Sequence, residues 1–202
     1  MILPSQLAPP TTETAGFFMR GVEDFGRWLT TVLGNGWHSR TASALSLVEL
    51  VELIKPRAPL SRHLLLPVAG WTVLLNDGPN GTDLGLLPTR ATEQLGCCSV
   101  RAVSLPAVPG RYGATIMEVY DAAAAEAEFF ARRVIYAVDD GGHWRFGESG
   151  ERFTFEDADA YRRPRIRDRF TPDMLEQYLE NLGVPINIEP DVGTSLLIER
   201  LS

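Results

Sequence analysis

The side chains best suited to nucleophilic or metal chemistry in this 202-residue sequence are three histidines, His38, His63 and His143, and the adjacent pair Cys97-Cys98. A structural zinc site needs cysteines or histidines at short fixed spacings such as Cys-x-x-Cys. Neighbouring cysteines and scattered histidines do not supply that, so no metal and no cofactor are expected. A Cys97 or Cys98 nucleophile served by His143 remains open, because catalytic partners need not be close in sequence. Packing in the core is the commoner fate of such cysteines. No catalytic residue is assigned.

Oxygen ligands and carboxylates cluster in two places. The run Asn76-Asp77-Gly78-Pro79-Asn80-Gly81-Thr82-Asp83 is dense in turn formers but lacks the alternating acids and closing glutamate of a calcium loop. Asp139, Asp140, Glu148 and Glu151 surround a Gly-rich turn, where solvent keeps carboxylates ordinary. The dense basic segment is Arg162-Arg163-Pro164-Arg165-Ile166-Arg167-Asp168-Arg169, whose guanidiniums suit a phosphate, a carboxylate or the nearby acids of the same chain. There is no Gly-rich phosphate loop and no Gly-x-Ser-x-Gly elbow. The surface side chains singled out for contact with a partner are Asp77, Asp83, Asp139, Asp140, His143, Trp144, Glu148, Glu151, Arg165 and Arg167.

These residues need elements to position them. At 45% hydrophobic and 22% charged, the chain has enough apolar material for a sizeable core without staples. The net charge of −7 argues against general nucleic-acid binding and suits a basic partner. Lys55 is the only lysine among 19 basic residues, a bias that fits a GC-rich bacterial genome. The first residues carry no basic stretch followed by an apolar run, and no apolar segment is long enough to span a bilayer. A cytoplasmic location without a membrane partner is the expectation.

Residues 1–14, with three prolines, read as a flexible tail, and 15–202 as a single α+β domain. Phe18, Val22, Phe25, Leu29 and Val32 fall at helical spacing and predict an amphipathic helix from Ala15 to the stop at Gly34-Asn35-Gly36. Ser46 and Glu49 form a capping box for a second helix that Pro56 ends. Strands are expected at 63–68, 71–75, 99–105, 114–120, 133–138 and 143–146, with a short helix from Pro88 to Gly96. Asp139-Asp140-Gly141-Gly142 is a hairpin turn, and 147–150 reads as another turn. Thr171-Pro172-Asp173 starts a last helix that Gly183 closes, and 195–198 adds a final strand. Helices, then strands, then a helix predict a mixed or antiparallel sheet flanked by N-terminal and C-terminal helices.

One stretch is familiar. Arg133-Val134-Ile135-Tyr136, the Asp-Asp-Gly-Gly turn, His143-Trp144-Arg145-Phe146, Gly147-Glu148-Ser149-Gly150-Glu151 and Phe153-Thr154-Phe155-Glu156 resemble segments of small bacterial immunity proteins of the broad SUKH-like kind. That resemblance, over residues 133–156, implies a non-enzymatic factor that neutralises a toxin by binding it. The protein partner would be a basic toxin domain. The alternatives are an enzyme or small-ligand binder whose site is built from residues distant in sequence, and nucleic-acid or phosphate binding through 162–169.

Overall fold

Strand-forming stretches separated by Gly, Pro and Asn turns assemble into one nine-stranded antiparallel sheet with helices on both faces, an α+β fold. The structure, a computed structural model, describes residues 10–42, 45–186 and 195–200. In chain order the strands are β1 (Thr14–Phe18), β2 (Trp37–Thr41), β3 (Arg62–Val68), β4 (Trp71–Asn76), β5 (Ser99–Leu105), β6 (Ala114–Tyr120), β7 (Ala131–Asp140), β8 (His143–Gly150) and β9 (Leu196–Arg200). The helices are α1 (Val22–Leu33), α2 (Leu47–Glu52), α3 (Leu87–Leu95) and α4 (Pro172–Asn181). Across the sheet the order is β2-β9-β3-β4-β1-β5-β6-β7-β8. The first strand of the chain therefore lies at the centre. Among the described residues no helix is long and apolar enough to cross a membrane.

Several elements follow from local chemistry. The Ser46 hydroxyl accepts from the Glu49 backbone, and the Glu49 carboxylate accepts from the Ser46 backbone N–H at 2.8 Å, which starts α2. Thr171 caps α4 with Pro172 at its first position. Gly141 and Gly142 take φ of 65° and 89°, the left-handed pair that a two-residue hairpin requires. Three expectations give way. Residues 14–18 form β1 rather than the start of a helix, because Ala15 and Phe17 point into one core and Phe18 into the other. Residues 147–150 continue β8 instead of turning, pairing with 133–136 of β7. Thr11–Glu13 form a buried 3-10 turn rather than a tail, and residues 1–9 lie outside the described residues.

The two faces are covered unequally. On one, α2, α4 and the connection between β8 and α4 close a core that includes Phe17, Leu64, Val73, Val100, Met117, Ile135 and Ala137. On the other, α1 packs on β9, β3 and β4, and α3 on β1, β5 and β6. The indole N–H of Trp28 on α1 donates to Gln94 of α3 at 2.9 Å, joining the two helices. No helix among the described residues reaches over β7 and β8 on this side.

Candidate functional site

Pairing register divides the candidate residues between the two ends of the sheet. His63, Asn76, Leu105, Ala114, Asp140 and His143 stand at one end; Phe18, Ser99, Tyr120 and Gly150 stand at the other. Cys97 and Cys98 precede Ser99 and so lie at the opposite end from His143. A strand of seven residues separates them, on the order of 20 Å, which rules out the thiol–imidazole pairing. Burial pushes the Cys97 thiol up, and burial followed by the Asp121 charge pushes Cys98 up to about 11. Both are thiols at neutral pH. Among the described residues no three His, Cys, Asp or Glu side chains converge as a metal-ligand set.

Of the residues singled out for partner contact, Asp77 is internal and Glu148 is half-buried in a network of its own. Asp77 is fully buried: its carboxylate accepts from the backbone of Ser61 and Arg62 at 2.8 Å each and pairs with Arg57 at 2.9 Å. It ties the start of β3 to the end of β4 and has no surface to offer a partner. Glu148 belongs to a network around Arg133, a guanidinium buried on β7. Arg133 donates to Glu156 at 2.9 Å, to the carbonyls of Ser149 and Gly150 at 3.0 and 3.1 Å, and to Glu148. The bond from Arg152, with those from Arg133, holds the Glu148 carboxyl down at about 2 against the opposing effect of burial. The hydroxyl of Tyr161 donates to Glu156 at 2.8 Å, and burial pushes its pKa well up. A buried cation with this many acceptors is a structural device. Glu151 is exposed near this end of β8, away from the hairpin turn. Asp83 is exposed in the loop after β4, its carboxylate accepting from Gly85 N–H at 3.0 Å.

Of the remaining six, His143, Trp144, Arg165 and Arg167 line one cleft, and Asp139 and Asp140 stand at the adjoining turn. The β7–β8 turn and a 3-10 turn at Ile166–Asp168 form the two walls of an open cleft of about 460 Å³, lined by Gly142, His143, Trp144, Arg165, Ile166 and Arg167. Asp139 accepts from Gly142 N–H at 2.7 Å, and Asp140 pairs with Arg145 at 2.8 Å, so both carboxylates of the turn are engaged. The chain is drawn together here by Phe146 of β8, which stacks near Tyr161 at 5.3 Å with the Arg169 guanidinium over its ring at 5.9 Å.

A second feature was not anticipated from the sequence. Ile135 and Ala137 of β7 are fully buried on the α4 side. Their neighbours Val134, Tyr136 and Val138 point to the opposite face and are only half-buried, together with Ile116 of β6. Tyr136 lies across Gly147 of β8, occupying the space a side chain there would need. This open face is edged by Arg101 and Glu118, paired at 3.1 Å, and by Arg145. The loops at its two ends expose Tyr112 (62%) and Phe129 (60%). Phe129 and Phe130 hold φ of 56° and 60°, a conformation that disfavours L side chains by about 1–2 kcal/mol each. The sequence did carry a signal: Val134-Ile135-Tyr136-Ala137-Val138 is apolar at every position, the pattern of a strand covered on both faces. Comparison with protein-family models, with curated proteins and with solved structures finds no match for this chain.

Proposed function

We propose that this chain is a non-catalytic protein-binding factor, an immunity- or antitoxin-like protein that neutralises a toxin domain by direct contact. The observation that carries this reading is the open face of β6 to β8. A strand apolar at every position has one side sealed and the other, with Val134, Tyr136 and Val138, only half-buried beside Ile116. Contiguous apolar patches of this kind mark places where another protein lies down. The flanking Tyr112 and Phe129 add large aromatic contact area, and backbone strain at Phe129 and Phe130 is a usual companion of binding loops. The net charge of −7 favours encounter with a basic domain, and a cytoplasmic location belongs to the same proposal.

The test is native mass spectrometry of the protein purified from its own host, beside the Val134→Arg and Tyr136→Arg variants. The expected result is a defined heteromeric complex in the unaltered protein that both variants lose while keeping their circular dichroism and melting temperature. Failure of any partner to co-purify, or a complex that survives both charge insertions, would overturn the reading.

A further inference from the structure

On the opposite side of β8 from the open face lies the cleft between the β7–β8 turn and the Ile166–Asp168 turn, and its chemistry is different. In an acidic chain its lining includes two arginines, Arg165 and Arg167, and His143, all three exposed. The acids nearby are accounted for. Asp139 accepts from the turn backbone, Asp140 pairs with Arg145, and Asp168 stands 3.6 Å from Arg167 in a weak contact. Arg162 and Arg163, from the same segment, turn away to Asp159 and Asp157 at 3.6 and 3.5 Å. Arg165 has no ion pair among the described residues. The other two walls are apolar, the indole of Trp144 and the side chain of Ile166.

Guanidiniums bind phosphate oxygens through paired hydrogen bonds, and a dianion answers two of them better than a carboxylate does. An indole beside them offers a surface for a flat ring, and about 460 Å³ falls in the range of small-ligand sites. We propose that this cleft binds an organic phosphate monoester, its phosphate on Arg165 and Arg167 and its attached ring against Trp144. This does not rest on the protein-binding reading, since the two surfaces lie on opposite faces of the same strand.

Isothermal titration of the full chain at low ionic strength, with adenosine monophosphate and with inorganic phosphate as probes, tests it. Low salt matters because exposed charges are screened. Saturable binding of both is expected, tighter for adenosine monophosphate. Arg165→Ala and Arg167→Ala should each weaken both by roughly tenfold. Trp144→Leu should erase the preference for the nucleotide while leaving phosphate binding intact. No saturable heat with either probe at millimolar concentration overturns the proposal, as does binding that Arg165→Ala leaves unchanged. A single-stranded oligonucleotide that binds with steep salt dependence while adenosine monophosphate does not would also overturn it, because the arginines would then be reading a polyanion.

Discussion

His63 on β3 is buried, with both ring nitrogens lacking a hydrogen-bond partner among the described residues and the Trp37 ring 5.1 Å away. Burial, only partly offset by the charge of Asp77, lowers its pKa from 6.5 to about 4. The unfolded chain thus takes up this proton near 6.5 and the folded chain only near 4. Stability is complete above the upper value and is lost as pH falls through the interval, by about 3 kcal/mol in total. His63→Phe should flatten melting temperature against pH between 7 and 4. It should also stabilise the protein at neutral pH, because two unsatisfied polar atoms disappear. Thermal melts across that range check it, and an unchanged acid slope in the variant would sink the idea. Sequence could not have shown this role. His63 looked like one of three scattered histidines, and its fate was set by Trp37, twenty-six positions earlier, which only the fold brings against it.

At the scale of elements, the end of β8 depends on a glycine. Gly150 has φ of 82°, and a Cβ there would collide with the backbone carbonyl of Arg132. Backbone cannot swing aside as a side chain tip can, so Gly150→Ala should lower stability by about 2 kcal/mol or more. Gly142→Ala should cost less, since open space surrounds it and only its φ opposes the change. Urea denaturation of the two variants side by side measures the difference, and equal midpoints would contradict it. Elements governed by local chemistry were legible from sequence: the Ser46–Glu49 box, the Thr171 cap and the Asp-Asp-Gly-Gly hairpin all stand where their residues demand. The elements that were not legible are set by distant pairing. Phe18 shares helical spacing with Val22 and Phe25, yet β1 is held extended by β4 and β5. The turn read at 147–150 is straightened by pairing with β7 and by the buried Arg133 that collects its carbonyls. The phosphate cleft was half visible, since its turn and its arginines were both singled out. Nothing in the sequence said that Phe146 would meet Tyr161 and Arg169 and bring them together.

For the molecule as a whole, β1 is the seam. Among the described residues, the strands β2, β9, β3 and β4 are joined by pairing to the meander β5 to β8 only through it. The two sides should therefore unfold together. Variants keeping Trp71 on β4 as the sole tryptophan, or Trp144 on β8, should report one shared urea midpoint by fluorescence; separated midpoints would mean that the halves melt independently. The face proposed for partner binding also belongs to this scale. Its apolar strand was visible in sequence, but that one side stays uncovered depends on where α3 stops across the sheet. The central place of β1 also bears on how the protein is made. Thr14–Phe18 leaves the ribosome before the strands that flank it, which end at Asn76 and Leu105. At ordinary synthesis rates that is a wait on the order of ten seconds, during which the two edges of β1 lack their partner strands. Any message cut short before Leu105 yields a chain whose middle strand is bare along one edge, a natural substrate for chaperones and proteases.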